Sequence, residues 1–242
     1  MVKKIVFKNI IFNNYNYSDF NKIINKKGYF TFPSGPGLAS INTSKEYHVS
    51  LQKSDLVFFD SGFFVLLLRI LKGIKVKKFS GYKFIELFFN YLKKNNKKII
   101  FSIDPNKNFS NSNKYYLNKL GVKNLTNYVA PKYSTTKIND TELVKLVNKI
   151  RPHFILNNIG GGTQEILGLY LKKNINFKTT ILCTGAAISY FTGDQAPVNK
   201  FFDKLYLGWF LRIIFKPQMF FLRYFNAIKL FYIVRNTKIS IK

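Results

Sequence analysis

The sequence predicts an α/β protein: a mostly parallel, Rossmann-like sheet with helices on both faces, followed by a helical, basic and aromatic C-terminal appendage. Three observations carry this. Short apolar runs with strand character alternate with longer runs patterned as helices. Several of the short runs end in small or acidic residues. From Asn199 to Val234 the alternation is lost, and aromatic, aliphatic and basic residues mix.

Taken in order, the expected strands are Ile5–Phe7, Tyr29–Phe32, Leu56–Phe59, Ile99–Ile103, Phe154–Ile159 and Thr179–Cys183. Each is a run of β-branched, aromatic or aliphatic residues bounded by polar or turn residues. The expected helices are Phe63–Leu71, Phe84–Lys93, Thr141–Lys149 and Gln164–Lys172. Residues 1–198 then form one α/β domain and 199–242 the appendage. In an open parallel sheet the loops after the strands share the carboxyl edge, where ligands bind. Those loops read Asp60-Ser61-Gly62, Asp104-Pro105-Asn106, Gly160-Gly161-Gly162 and Thr184-Gly185-Ala186-Ala187. Two carboxylates, Asp60 and Asp104, are therefore expected along one crevice.

Composition narrows the function. At 242 residues and 47% hydrophobic, the chain can bury a core and is not a disordered polycation. Its one cysteine, Cys183, excludes a disulfide framework, and His48 and His153 lack ligand-like spacing. The 39 Lys and Arg against 11 acids give a formal charge of +28, a field that attracts polyanions: nucleic acid, anionic lipid or diphosphate substrates. A codon bias toward Lys accounts for part of this, but not for the scarcity of acids. The N-terminus has no secretory pattern, and no window has about 18 uninterrupted apolar residues. A cytoplasmic location is expected.

The chemistry-bearing residues are few. Gly160, Gly161 and Gly162 stand between a strand and a helix, where backbone N–H groups can hold an anion. Thr163 is placed to cap that helix, with Gln164 and Glu165 in its first turn. A ligand-free tight turn is the plainer alternative, and the same holds for Gly35-x-Gly37. No P-loop lysine follows, and the spacing does not fit a dinucleotide fold. Asp60 ends an apolar strand and can serve as a general base; its alternative is to cap the next helix. No Asp-x-Asp or His-Glu-x-x-His is present, so no metal or other cofactor is expected. A bound diphosphate would rely on protein cations, with Lys77, Lys78 and Lys83 and the appendage residues Arg212, Lys216 and Arg223 as candidates. The last three fall within about 40° on a helical wheel, across a break at Pro217. A basic stripe on an aromatic helix suits an anionic membrane interface; a helix pair packed on the domain is the alternative.

In order along the chain, Asn42, "SDLVFFDSG", "KKFSG", "GGGTQE", "TGAAISYFTGDQAP", "LGWFLRIIFKP" and "RY" resemble the WecG/TagA/CpsF glycosyltransferases, glycosyltransferase family 26. The resemblance spans roughly Gly35 to Tyr224. It implies an inverting, metal-independent enzyme of cell-surface polysaccharide synthesis. Such an enzyme moves an N-acetylmannosamine-type or other hexose from a UDP-sugar to a polyprenyl-diphosphate-linked sugar at the inner face of the cell membrane. Asp60 corresponds to the family's catalytic base. Asn42 matches the donor-site Asn, Ser40 stands where many members have Thr, and Gln164 and Glu165 match the Gln-Glu pair beside the nucleotide. Gly185 and Gly193 match glycines of the next strand–loop; Ala196, Pro197, Trp209 and Arg212 match residues toward and within the appendage.

The chain departs from the family pattern at several points. Lys78 replaces an Arg, keeping charge but losing bidentate geometry. Lys83 replaces an Asp, Gly162 a Pro, Gln195 an Arg and Gly208 a Glu, while Ile103 and Asp104 replace Gly-Gly. The resemblance implies peripheral membrane binding through the appendage, allows a homo-oligomer, and gives no place to nucleic acid as partner. The competing reading is a non-catalytic basic module on nucleic acid or anionic membrane. It explains the charge but not the ordered motifs.

Overall fold

In a computed structural model, residues 3–194, 218 and 225–242 are described. Among the described residues nine strands form one sheet: β1 (Lys4–Phe7), β2 (Ile10–Asn13), β3 (Gly28–Thr31), β4 (Leu56–Val57), β5 (Ile99–Asp104), β6 (Asn124–Val129), β7 (Phe154–Asn157), β8 (Thr180–Cys183) and β9 (Ser240–Ile241). Their order is β6-β5-β7-β8-β3-β4-β2-β1-β9. From β6 through β2 every neighbouring pair is parallel; β1 runs antiparallel to β2 and β9. The expected Rossmann-like α/β fold is the observed one.

Among the described residues the helices are α1 (Phe20–Ile24), α2 (Gly35–Ala39), α3 (Lys45–Gln52), α4 (Gly62–Lys72), α5 (Gly81–Lys94), α6 (Lys107–Lys119), α7 (Thr141–Ile150), α8 (Thr163–Asn174), α9 (Ser189–Thr192) and α10 (Lys229–Asn236). Strand alternation sorts them into two layers. Phe30, Phe58, Phe154, Leu156 and Leu182 face one cluster with α1, α5 and α6. On the other face, Tyr29, Ile155, Ile181 and Cys183 meet α7 and α8, while Val57 and Phe59 meet α2, α3, α4 and α10. The first cluster is mainly phenylalanine, with Phe32 stacked on Phe58 at 4.5 Å. Burying each such ring contributes roughly 1.5–3 kcal/mol.

The six expected strands and four expected helices are present, with ends shifted by one to a few residues. Several elements were not expected. β1 and β2 form a hairpin around Lys8 and Asn9, both at positive φ, a turn geometry that Asn-Gly usually signals and Lys-Asn does not. The α6 helix buries only Ser110, Asn113 and Leu117, so it carries no apolar period. β6 is an edge strand whose residues are half-buried or exposed. The end of the stretch read as an appendage joins the main sheet: β9 pairs with β1, and Leu230 and Val234 of α10 sit in the core beside α4.

The expected pair of crevice carboxylates is corrected. Asp104 is fully buried at the end of β5. It accepts from Ser102 Oγ at 2.8 Å, Asn113 Nδ2 at 2.7 Å, Asn158 Nδ2 at 3.0 Å and Asn127 Nδ2 at 2.9 Å. Four neutral donors balance its desolvation, so the carboxylate joins β5, β6, β7 and α6 instead of facing a ligand. The chain leaves β5 toward β6 and leaves β7 toward β8, which makes β5/β7 the topological switch point. This network fills that point, and the remaining loops gather at the ends of β3, β4 and β8.

Candidate functional site

Asp60 follows β4, where alternation sends Phe58 to one core and Phe59 to the other. The next residue, Ser61, caps α4 by accepting from Phe64 N at 3.2 Å. The helix-cap alternative for Asp60 therefore falls to its neighbour. Asp60 instead reaches across to α5, and its Oδ1 accepts from the Gly81 amide at 2.8 Å. The chain between α4 and α5 returns alongside β4, with Phe79 N donating to Phe59 O at 2.9 Å. That return brings the helix N-terminus to the carboxylate, and the helix dipole favours negative charge there. Lys78, half-buried, lies on the same returning segment.

Gly81 is packed so closely that an added Cβ would stand 3.2 Å from Thr184 O and 3.6 Å from Phe32 Cβ. The ends of β3, β4 and β8 thus converge around it. A Cβ on Gly35 would meet Ser61 Oγ at 3.0 Å, which seats the first glycine turn against the Asp60 loop. That turn is the start of α2, capped by Ser34.

On the far side of Thr184, Gly185 N donates to Gln164 Oε1 at 2.7 Å. Gln164 Nε2 donates to Glu165 Oε1 at 2.8 Å, and Glu165 Oε2 accepts from Gly162 N at 2.6 Å. Both side chains are almost fully buried. Three bonds therefore link the glycine turn, the start of α8 and the loop after β8. Behind them, Tyr29 OH donates to Glu165 O, and Asn157 Nδ2 donates to Gln164 O. Burial first, and then Glu165, push the Cys183 thiol well above its ordinary value. Burial, Cys183 and Glu165, in that order, do the same to the Tyr29 phenol. Both groups stay neutral, so Cys183 is not a nucleophile here.

Two expectations about the glycine turn change. Thr163 is the first helical residue, not the cap; the residue before α8 is Gly162, whose amide is held by Glu165. Gln164 N is also taken, by Gly160 O. An internal carboxylate thus takes one amide at this helix end and the Gly160 carbonyl takes another. Gly161 is exposed and Gly160 half-buried. Gly162 sits at φ +95, ψ −70, which proline cannot adopt, so the turn differs from one built on proline.

The other expected site residues lie apart. Ser40 ends α2 and donates to Gly37 O at 2.8 Å, and Asn42 is exposed in the following turn. Lys83 is ion-paired to Glu86 and stands over the Tyr17 ring, so it is committed within its own helix. Arg212, Lys216 and Arg223 lie outside the described residues, as do Ala196, Pro197 and Trp209. Among the described residues no group of three His, Cys, Asp or Glu is placed to hold a metal.

Two participants were missed from the sequence. The Gly81 amide was signalled by Ser80-Gly81 opening an apolar helical run, a capping pattern. Thr184 is buried at the junction of the two halves, and its hydroxyl has no partner among the described residues. Nothing in the sequence marks it beyond its place after β8.

Compared with protein-family models, residues 6–242 match the glycosyl transferase WecG/TagA/CpsF family. A search of curated proteins finds no match.

Proposed function

The chain belongs to the WecG/TagA/CpsF family of glycosyltransferases of cell-surface polysaccharide synthesis, and from that premise we propose an inverting transfer in which Asp60 is the general base. A UDP-hexose, of N-acetylmannosamine type or another, is the donor, and a polyprenyl-diphosphate-linked sugar is the acceptor. Asp60 takes the proton of the acceptor hydroxyl as that oxygen attacks the anomeric carbon. The C–O bond to UDP breaks on the opposite face, and UDP leaves with the bonding pair. A positioned base of this kind contributes about 10²–10⁴ in rate.

The observation that carries the reading is the placement of Asp60. It lies at the carboxyl edge, held by the Gly81 amide and separated by the Thr184 loop from the Gln164–Gly185 link. This is the edge where α/β sheets bind ligands. On this reading Gly160, Gly161, Gln164, Glu165 and Gly185 build the donor wall, and Ser40 and Asn42 belong to the donor side. The internal use of the α8 N-terminus favours side-chain cations for the diphosphate: Lys78, with Arg212, Lys216 and Arg223 of the appendage. These would stabilise the departing UDP without a metal. The appendage would hold the enzyme on an anionic membrane.

A panel of UDP-sugars, assayed with a lipid-diphosphate sugar acceptor in the presence and absence of EDTA, tests donor, acceptor and metal independence together. Full turnover by Asp60→Asn would remove Asp60 from the base role.

A further inference from the structure

The polar network at the topological switch point has acceptors to spare. Asp104, Ser102 and Asn113 are fully buried and Asn158 nearly so. Asn113 and Asn158 turn their amide nitrogens to Asp104 Oδ1, and Asn127 turns its nitrogen to Oδ2. Asn158 Nδ2 also donates to Ser102 Oγ at 3.1 Å, and Asn127 Nδ2 to Ser110 O at 3.4 Å. The carboxylate thereby fixes all three amides, because a flipped amide would set oxygen against oxygen. Their oxygens are what remains. Asn113, Asn127 and Asn158 Oδ1 are buried and have no hydrogen-bond partner among the described residues.

Each buried acceptor left unmatched is a cost to the fold, and here three surround one carboxylate. The charge is unbalanced as well. Among the described residues no Lys or Arg pairs with Asp104, although the chain has 39 of them. Neutral donors solvate the carboxylate without cancelling its charge. The species that completes such a cluster meets several oxygens at once and is positive. A water offers two protons to three oxygens and brings no charge. A magnesium or calcium ion draws more carboxylates or keeps several waters, and this cluster has one acid. Soft metals want His or Cys, and the cluster has neither. An alkali cation takes oxygen ligands only and sets one charge against one.

We propose that Asn113, Asn127 and Asn158 Oδ1 ligate one alkali cation, Na+ or K+, with Asp104 behind the amides as its counter-charge. The ion is structural. Its ligands come from α6, β6 and the end of β7, so it ties the edge strand β6, whose own side chains are half-buried or exposed, to the rest of the sheet. Asn127 is itself half-buried, which gives the ion a way in from the sheet edge. The family pattern has Gly-Gly at 103–104, so the counter-charge belongs to this chain's own sequence. The site rests on no part of the reaction proposed above. EDTA does not strip alkali ions, so it is compatible with turnover in that chelator.

The test uses the full chain dialysed into choline chloride. Melting is followed as choline is replaced by Na+ or K+ at constant chloride and ionic strength, so screening of the +28 charge stays fixed. The expected result is a saturable rise in Tm, about 5–10 °C at a hundredfold excess over Kd, with different midpoints for Na+ and K+. Asn127→Ala removes one ligand at the half-buried position and should raise the midpoint about tenfold or more. Asn124→Ala, on the same strand but outside the cluster, should leave it unchanged. Equal Tm in choline, Na+ and K+ overturns the proposal and leaves the cluster to water. That wild-type series decides even where a variant fails to fold. A cation effect with the same midpoint in Asn127→Ala, or an equal shift in Asn124→Ala, overturns the assignment of the ligands.

Discussion

Gln164 and Glu165, consecutive in sequence, hydrogen-bond to each other through their side chains inside the protein, Nε2 to Oε1 at 2.8 Å. An ionised carboxylate only accepts, so Glu165 fixes which way the Gln164 amide faces. Its Oε1 is then left toward Gly185 N. Glu165→Gln offers one acceptor where two donors, Gly162 N and Gln164 Nε2, need one each. Leaving a buried donor unmatched costs about 1–3 kcal/mol, a loss on the order of 5 °C in Tm for a chain of this size. Differential scanning calorimetry should show that fall, and donor KM should rise because Gly185 is released.

Asp60→Asn keeps an oxygen to accept from Gly81 but cannot take up a proton. The expected result is a kcat lower by about 10²–10⁴ with UDP-sugar affinity within a few fold of wild type. Turnover and calorimetric titration of the donor, measured on the same preparation, check both halves.

Restoring the proline of the family pattern should harm this chain. Gly162→Pro asks for a φ near −65° where the backbone stands at +95, and it removes the N–H held by Glu165. The expected loss is about 3 kcal/mol or more for Pro, against about 1–2 kcal/mol for Gly162→Ala. Urea unfolding of both variants gives the order.

Gly168 lies on the inner face of α8, where an added Cβ would stand 2.4 Å from Tyr29 Cε2 and 2.8 Å from Cys183 Sγ. Gly168→Ala should destabilise by about 1–3 kcal/mol through overpacking, outweighing the gain in helix propensity. Tyr29 also donates to Glu165 O, so the displaced ring should loosen the donor wall proposed above, and donor KM should then rise as well.

His153 gives the pH dependence. Its Nδ1 accepts from Ile99 N at 3.0 Å, and burial, then Lys98 and Lys27, lower its pKa. Below about 6.5 the unfolded chain binds a proton that the folded chain resists. Stability is therefore complete above that value and falls as pH drops through it toward the folded pKa. Melting between pH 7.5 and 5 should show this slope, and His153→Asn should reduce it.

The sequence makes the α/β architecture legible because the central strands are apolar runs buried on both faces, from Phe30 beside Tyr29 to Leu182 beside Ile181. Asp60 is legible for the same reason: an acid ending such a run stands out where acids are scarce. The edges are less legible. β6 and α6 are held by Asp104 and its asparagines, and a polar network has no period to read. The glycine turn misleads for a related reason. Its anion is the chain's own Glu165, and only the fold reveals that a carboxylate from the first turn of α8 has folded back onto it. Gly81 and Thr184 become visible only when three strand ends converge, a relationship between residues more than a hundred positions apart.

The pairing of β9 with β1 sets how the molecule answers force. The strands are antiparallel, and Lys4 and Lys242 exchange backbone hydrogen bonds, each N–H donating to the other's carbonyl at 3.0 Å. Tension applied between those two residues pulls from the same end of the pair and opens its bonds one at a time, as a zipper opens. That pairing spans two residues against four in the β1–β2 hairpin, so β9 is expected to open before β1 leaves β2.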